Sequence, residues 1–485
     1  MKHIKKALLL LLLLSALLLS ACGKDGYRNI TAENAEELMQ EEHDAVVLDV
    51  RTPALFEKGH VPDAVNLPID TIGEGDIAAI PQKDQPVFVY AETESDAVKA
   101  AKMIVSLGYT RVYAFGSFDA WQGLTVAEKD PEHIHVFSIK ESTGRYFVKD
   151  ATEKTPTVFR YSCACGEPSY YKTFTQGRTA DERIPVGKNA KEALDGKKIL
   201  FAGNAYNYYG KTVSFVDGGV TEQAARMNDT GYFYELCKKN GATVNVTNWS
   251  FGNHTLADLF DGSCSVDREC DAGHDHLADL TDRNYDYVSL MDMTQVSNVS
   301  EEEYIESLKS FMKVFTDVNP DCKFIFSIPS GAYWYNHRDS LGAYPYVSFA
   351  EKIAALDNVI VMDWGRLIYD LVKQDTSVPG SSLRCSESSL ITPDGQNPNL
   401  LSGYIHTLMT YCAITGETAV GQPTALENGT ETGNALRFQK TVYIEKIYKG
   451  KSTNFTAFMD SETEMKGIQQ LIDRYLDMET YRFYK

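Results

Sequence analysis

Basic residues are scarce in this 485-residue chain, which has 47 lysines and arginines against 67 aspartates and glutamates and a formal net charge of −20. Binding to nucleic acid needs clustered cations that neutralise phosphates, so this balance argues against a nucleic-acid partner. Cysteine is also rare, with nine residues in all, so the fold does not depend on a dense disulfide framework. After the first 22 residues, no apolar run is long enough to cross a bilayer.

The first 22 residues have the features of a secretory signal. Three lysines within the first six residues precede a leucine-dominated run over residues 8–19, and the segment ends in Leu19-Ser20-Ala21-Cys22. This run is shorter than the roughly 20 apolar residues of a membrane-spanning helix. Its last four residues resemble a bacterial lipobox, whose cysteine becomes the lipidated N-terminus after cleavage. The resemblance implies a signal peptide over residues 1–22, lipidation of Cys22, and a membrane anchor on the extracytoplasmic face of a bacterial cell.

Residues 27–128 alternate short apolar runs with helical stretches, as is typical of a parallel α/β sheet. The segment Leu48-Asp49-Val50-Arg51-Thr52-Pro53 is followed by Gly59-His60-Val61-Pro62-Asp63-Ala64, and both resemble the rhodanese family. The match continues through Leu107-Gly108-Tyr109 and ends at Trp121. The resemblance implies a rhodanese-like domain. The pattern of apolar residues predicts buried strands at residues 45–50, 87–90 and 111–115 and a helix at residues 96–107.

The position that carries sulfur in active rhodaneses is occupied by Ala91. In those enzymes, a strand that matches residues 87–90 leads into a cysteine, and the following loop turns N–H groups and a cation toward its thiolate. Here the loop reads Glu92-Thr93-Glu94-Ser95-Asp96, so carboxylates stand where anion-binding groups belong. We therefore expect a structural or interaction domain and keep sulfur transfer as a weaker alternative. Asp49 and Arg51 are then a polar pair that stabilises a strand end.

Residues 131–190 are strand-like in composition, which predicts a small β-rich linker segment or an extension packed on the following domain. Cys163-Ala164-Cys165-Gly166 lies in a turn just after candidate strands. A zinc site usually combines two cysteine pairs or adds histidines, and no second pair is near in the sequence. Two local thiols in a turn are the simpler interpretation, and their disulfide or metal status stays open.

Residues 196–418 again alternate strands and helices, which indicates a second and larger α/β domain. Four blocks resemble the SGNH hydrolase family, also known as GDSL hydrolases, in their order and spacing: residues 197–210, 250–256, 285–291 and 392–404. This resemblance implies a flavodoxin-like three-layer α/β/α fold. Residues 419–485 are predicted as a C-terminal extension that packs on this domain.

The resemblance also assigns roles to single positions, and most of them have lost the required chemistry. Ala205 stands where the family has its serine nucleophile, and Gly252 where a backbone N–H helps to bind the oxyanion. Met291 replaces a second oxyanion donor, while Asp394 is kept and Asn397 replaces the histidine. Loss of a nucleophile or a base costs a serine hydrolase about 10⁶ in turnover. We therefore expect neither catalytic residues nor a cofactor in this pocket.

A pocket of this kind can still bind without cutting its ligand. Tyr206, Tyr208 and Tyr209 either stack on a sugar face or pack against a helix. Ser250 and His254 are a candidate relocated pair, which would make the protein an active esterase or deacetylase on carbohydrate esters. The favoured hypothesis is a surface lipoprotein that binds or scaffolds a glycan or protein ligand.

One further group could hold a metal ion. Two cysteines and two histidines, which would suit tetrahedral zinc, follow the second block: Cys264, Cys270, His274 and His276. Their spacing matches no motif that we can name, so a Cys264–Cys270 disulfide or a plain polar loop remains equally open. No metal is assigned from the sequence.

Overall fold

The computed structural model describes residues 26–73, 75–126, 135–142, 144–204, 207, 226–227, 232–251, 254–261, 275–292, 300–329, 345–373, 376–380, 400–424 and 462–477. The chain divides into two compact units. The first contains Met1–Asp150 and Thr157–Gln176, and the second contains Ala151–Pro156 and Gly177–Lys485.

The first unit is built on a five-stranded sheet. Its strands are β1 (Tyr27–Asn29), β2 (Val46–Asp49), β3 (Ala64–Asn66), β4 (Val87–Ala91) and β5 (Val112–Ser117). Its α-helices are α1 (Ala32–Glu41), α2 (Pro53–Lys58) and α3 (Glu94–Ser106). All strand pairs are parallel, in the order β1-β5-β4-β2-β3. Central strands β2 and β4 are buried on both faces, which explains their continuous apolar runs.

Successive side chains of the central strands enter two separate cores, one on each face of the sheet. Val87, Val89 and Ala91 of β4 pack in one cluster together with Ala97 and Ala101 of α3. Phe88 and Tyr90 pack in the other, which also holds Ala35 of α1 and Trp121. The end of β4 therefore directs Ala91 toward α3.

A three-stranded antiparallel sheet completes the first unit. It consists of β6 (Phe147–Lys149), β7 (Thr157–Ser162) and β8 (Pro168–Gln176), in that order. Tyr171 of β8 is buried beside Trp121, and its hydroxyl donates to Glu36 of α1 at 2.9 Å. The sequence predicted that residues 131–190 form a small β-rich linker segment or an extension packed on the following domain. The structure instead groups β7 and β8 with the preceding domain. Aromatic contacts between distant positions decide this packing.

The second unit contains a six-stranded sheet. Its strands are β9 (Lys198–Gly203), β10 (Arg226–Met227), β11 (Asn245–Ser250), β12 (Tyr287–Leu290), β13 (Lys323–Ser327) and β14 (Val359–Met362). The order is β10-β11-β9-β12-β13-β14, with β10 antiparallel and the other strands parallel. From β11 onward this is the 2-1-3-4-5 order of flavodoxin-like sheets, whose ligand crevice opens beside the first strand, here β9.

The helices of the second unit cover both faces of this sheet. They are α4 (Ala190–Leu194), α5 (Tyr232–Lys239), α6 (Leu256–Asp261), α7 (His276–Asp279), α8 (Glu301–Thr316), α9 (Pro345–Ala354), α10 (Trp364–Lys373), α11 (Leu400–Thr415) and α12 (Glu462–Leu476). Leu200 packs in a cluster with Phe311 of α8, whereas its neighbour Phe201 meets Phe233 of α5 edge-on at 5.5 Å. Within the described residues, none of the helices is both long and apolar enough to span a bilayer.

Candidate functional site

The carboxyl ends of β2 and β4 bring together the residues that the sequence singled out in the first unit. Asp49 is the last residue of β2 and Ala91 the last of β4, and these strands are neighbours in the sheet. Arg51 follows two residues after β2. Ligand sites of open parallel sheets lie at this edge, so it is the candidate site of the domain.

Asp49 and Arg51 form a buried ion pair at this edge. Nη2 of Arg51 lies 2.6 Å from Oδ2 of Asp49, and Nε lies 3.0 Å from Oδ1. The Tyr90 hydroxyl donates to the same carboxylate at 2.6 Å and accepts the N–H of Val61 at 3.1 Å. Burial and the Asp49 charge raise the pKa of Tyr90 well above its usual range. The polar groups at the ends of β2 and β4 are therefore paired with one another, which is the arrangement expected of groups that stabilise the fold.

The same guanidinium is held on two further sides. Nη2 of Arg51 donates to the carbonyl of Gly59 at 2.6 Å, and the guanidinium carbon lies 3.9 Å from the ring centre of Phe118. His60 is buried, stacks on Phe56 with ring centres 3.7 Å apart, and has its Nδ1 2.9 Å from the Phe56 carbonyl. The backbone of His60 forms an isolated antiparallel bridge with Val126, so the residue is packed into this edge of the domain.

Ala91 is 1% exposed, and its methyl group packs under α3. Thr93 caps α3, because its hydroxyl oxygen accepts the N–H of Asp96 at 3.2 Å and its hydroxyl contacts the Asp96 carboxylate at 2.7 Å. Glu94 and Asp96 both lie in the first turn. A helix N-terminus attracts anions, but here the chain's own carboxylates occupy that position. Thiosulfate approaching α3 would meet negative charge.

A groove of about 1050 Å³ runs along the carboxyl ends of β1 and β5 and the start of α1. Trp121 and Gly116 contribute to its wall. The ionisable residues among those that line it are all acidic: Glu33, Glu36 and Glu94. Carboxylates accept hydrogen bonds from hydroxyl and ammonium groups, so the groove favours neutral or cationic ligands over anions.

The first unit is thus an open α/β domain with a parallel five-stranded sheet and a site at its carboxyl edge. The family model for a rhodanese-like domain matches residues 31–124. The chain is 34% identical over 101 residues to the thiosulfate sulfurtransferase GlpE of Pseudomonas syringae, a match that covers 20% of this chain and 88% of that protein. The chain therefore belongs to the rhodanese-like family, through its N-terminal domain.

Solved structures give related matches. A rhodanese with anions from E. coli is 28% identical, with coverage of 17% of this chain and 98% of that chain and a TM-score of 0.17. A rhodanese-related protein from Thermoplasma volcanium is 25% identical, with coverage of 21% and 100% and a TM-score of 0.19.

In the second unit, the backbones at the ends of β9 and β12 approach each other closely. Gly203 has φ +149°, and a Cβ atom at this position would lie 2.2 Å from the carbonyl oxygen of Met291. The side-chain amide of Asn204 donates to the same oxygen at 3.3 Å. Met291 is fully buried. The other residues assigned to this pocket lie outside the described residues: Ala205, Gly252, Asp394, Asn397, Tyr206, Tyr208 and Tyr209.

Ser250 ends β11 beside this point and is fixed by hydrogen bonds. Its hydroxyl donates to the carbonyl of Phe201 at 3.3 Å and accepts from Nδ2 of Asn207 at 2.9 Å. Asn207 is fully buried, and its Oδ1 has no hydrogen-bond partner among the described residues. Asn207 thus offers a buried acceptor near the crevice beside β9, and the sequence had not singled it out.

His254 and His276 lie in a buried aromatic cluster. Their ring centres are 4.7 Å apart, and the ring of Phe251 lies 4.4 Å from that of His276. The indole N–H of Trp249 donates to the His276 carbonyl at 3.1 Å. The other members of the predicted metal group lie outside the described residues: Cys264, Cys270 and His274. The predicted lipidation site, Cys22, also lies outside them. That group therefore stays a sequence prediction.

Sequence reasoning also missed a buried serine–histidine contact. Nε2 of His406 on α11 lies 3.0 Å from Oγ of Ser327 at the end of β13, and both residues are fully buried. Burial lowers the pKa of His406 to about 3. An imidazole with so low a pKa takes up a proton poorly, so it is a weak general base at neutral pH. No local motif signals this pair, because 79 residues separate its members.

Proposed function

We propose that this protein is a non-catalytic member of the rhodanese-like family that acts by binding. The observation that carries the proposal is the buried methyl group of Ala91 at the end of β4, ahead of a helix whose first turn is acidic. Sulfur transfer needs a thiolate that accepts the sulfur and a positive environment that stabilises the persulfide anion. Neither requirement is met at this strand end, because Ala91 has no thiol and the turn that follows is negatively charged. The buried Asp49–Arg51 ion pair still stabilises the fold there.

The second unit is proposed to be a degenerate SGNH-type domain that binds a glycan or protein ligand. Its flavodoxin-like strand order, the close approach of Gly203 to Met291 and the buried acceptor on Asn207 support a pocket beside β9. An active esterase that uses Ser250 and His254 is the alternative. The Ser250 hydroxyl donates its proton to the carbonyl of Phe201, which favours binding over nucleophilic attack.

The proposed setting is the extracytoplasmic face of a bacterial membrane, with the protein anchored through lipid on Cys22. A Cys22→Ser variant should leave the membrane fraction and lose incorporated fatty acid, while a Cys165→Ser variant should keep both. Unchanged membrane association of the first variant would contradict the lipid anchor.

Thiosulfate-to-cyanide sulfur transfer by the chain from Gly23 onward tests the central claim. The natural sequence should give no thiocyanate above background. Ala91→Cys combined with Glu92→Gln and Glu94→Gln should gain a mass of one sulfur atom on incubation with thiosulfate, and Ala91→Ser with the same two changes is the matched control. Thiocyanate formation by the natural sequence would overturn the proposal.

Ester hydrolysis separates the proposed binding domain from the esterase alternative. Acetyl-ester turnover is expected neither from the natural sequence nor from a Ser250→Ala variant. Turnover that the natural sequence shows and Ser250→Ala loses would establish the relocated pair. Activity that appears only in an Ala205→Ser/Asn397→His double variant would support the SGNH assignment and a non-catalytic natural protein.

A further inference from the structure

Two thiols and an imidazole converge at the turn that joins β7 to β8 in the first unit. Cys163 and Cys165 lie in this turn, and His135 reaches it from a segment 28 residues earlier in the chain. One ligand atom from each residue lies within 4.8 Å of the other two. Sγ of Cys165 lies 3.4 Å from Nδ1 of His135. The histidine that a metal site would need is therefore supplied by the fold, from a position that the local sequence does not reveal.

The turn itself is held in place by backbone hydrogen bonds. The N–H of Cys163 donates to the carbonyl of Glu167 at 2.9 Å, and the N–H of Gly166 donates to the carbonyl of Cys163 at 2.8 Å. Gly166 has φ +84°, which glycine adopts without strain. The hydroxyl of Tyr146 donates to the Gly166 carbonyl at 3.1 Å. The two sulfur atoms are thus presented from an ordered turn.

Cys163 has the environment of a thiolate. Burial by itself would raise its pKa, but hydrogen bonds from the backbone N–H of Cys165, from His135 and from the backbone N–H of Val136 outweigh burial and lower the pKa to about 6. Cysteine binds metal ions in its deprotonated form, and the hydrogen-bond donors around Cys163 favour that form. Cys165 and His135 are exposed, so an ion can reach the cluster from solvent.

The donor set and its spacing suit a thiophilic metal ion. With zinc–sulfur bonds of about 2.3 Å and zinc–nitrogen bonds of about 2.0 Å, tetrahedral ligand atoms lie roughly 3.5 to 3.8 Å apart. The observed separations, all within 4.8 Å, need a contraction of up to about 1.3 Å, which rotation of the exposed Cys165 and His135 side chains can supply. We propose that His135, Cys163 and Cys165 bind one thiophilic ion, either Zn²⁺ with water as fourth ligand or Cu⁺ held by the three protein donors.

Titration of the reduced chain from Gly23 onward tests this site, with Zn²⁺ and Cu⁺ added separately against a chromophoric chelator and stoichiometry read by native mass spectrometry. The natural sequence should bind one equivalent of at least one ion. Cys165→Ser and His135→Ala, which change exposed residues, should each weaken binding by more than about tenfold, because even loss of an outer-shell partner has that effect. Ala164→Ser alters the same turn and leaves all three donors, so its affinity should be unchanged.

The separate titrations with Zn²⁺ and Cu⁺ identify the ion. Binding of Zn²⁺ alone supports the four-coordinate site with water, and tighter binding of Cu⁺ supports the three-coordinate one. Failure of the reduced protein to bind either ion would overturn the proposal. So would affinity retained in both Cys165→Ser and His135→Ala, or a Cys163–Cys165 disulfide that resists reduction in the folded protein. None of these outcomes depends on whether the domain transfers sulfur.

Discussion

The carboxyl edges of the two parallel sheets are stabilised in opposite ways. In the first unit, an ion pair satisfies the polar groups of the edge, since Asp49 pairs with Arg51 and accepts the hydroxyl of Tyr90. In the second unit, the ends of β9 and β12 are closed by backbone contact, since Gly203 lies against the Met291 carbonyl. Both edges stand where α/β proteins place their ligands.

The difference shows how polar residues at a strand end should be interpreted. An acid and a base at the carboxyl end of a parallel strand suggest catalysis, but the geometry of Asp49 and Arg51 satisfies each charge internally. In the second unit the neutral groups of Asn207 and Ser250 are the more informative ones, because one buried acceptor of Asn207 lacks a partner among the described residues. Ligand binding is better indicated by an unsatisfied neutral group than by a paired charge.

Substitution of Gly203 should have the largest effect on this comparison. In Gly203→Ala the new methyl group would lie 2.2 Å from the Met291 carbonyl oxygen, which forces β9 and β12 apart. We expect a loss of unfolding free energy of more than about 4 kcal/mol, at the upper end for single substitutions. Hydrogen exchange of peptides from β9 and β12 would measure it, and peptides from β2 and β4 should be unchanged.

Gly196 provides the matched control for that variant. It also has positive φ, at +74°, but a Cβ atom there would meet nothing within 4 Å. Gly196→Ala should therefore show only backbone strain of about 1 to 2 kcal/mol. Equal effects of the two substitutions would show that steric contact with Met291 contributes nothing.

Removal of the buried carboxylate in the first unit should rank second. Asp49→Ala leaves the Arg51 guanidinium buried without its partner, which costs about 3 to 5 kcal/mol. Peptides from β2 and β4 should exchange faster, and peptides from β9 should not. Asp70→Ala, at an exposed position, is the control. A double variant, Asp49→Leu/Arg51→Met, should recover part of the loss, and no recovery would mean that the pair contributes more than mutual neutralisation.

The sequence predicted the long central elements well because their burial leaves a local signature. Runs such as Val87–Ala91 and Lys198–Gly203 are nearly all apolar, and the structure makes both of them strands. The two-residue β10 and the three-residue strands β1 and β3 were missed, because so few residues show no periodicity. Residues 223–240 have an amphipathic helical pattern, but within them the structure forms β10 at Arg226–Met227 and α5 at Tyr232–Lys239.

Contacts between distant residues were beyond the sequence for a different reason. His406 meets Ser327, and His135 meets Cys165, only after the chain has folded. The rhodanese-like site was predictable residue by residue because a family pattern covers it, and Ala91 stood out against that pattern. Asn207 had no such pattern, so its buried acceptor emerged only from three-dimensional contacts.

Acid should weaken the second unit through His406. Its folded-state pKa, lowered by burial to about 3, lies below the ordinary value of 6.5, so the unfolded chain binds the proton first. The stability that the neutral form contributes is complete above pH 6.5 and is lost as pH falls toward 3. Between pH 6.5 and pH 5 the loss should be about 2 kcal/mol. Hydrogen exchange of β13 and α11 peptides across this range would record it.

A His406→Gln variant separates this titration from other buried groups. Its β13 and α11 peptides should start less protected and show a smaller change between pH 6.5 and pH 5. Burial raises the pKa of Asp473, so that carboxyl contributes stability that is lost as pH rises, and it cannot mimic the expected effect. An identical pH slope in the variant and the natural sequence would assign the acid sensitivity elsewhere.

The smallest effect should come from the cap of α3, next to Ala91. Thr93→Ala removes the acceptor for the N–H of Asp96, which should cost about 1 kcal/mol and increase exchange in the first turn of α3. Thr52 is the control, because it precedes α2 without a capping bond from its side chain to any described residue. Thr52→Ala should change exchange less. If both variants behave alike, the Thr93 cap does not stabilise the acidic turn. A larger loss in Thr93→Ala would show that the chain maintains an ordered, negatively charged turn where an active rhodanese binds an anion.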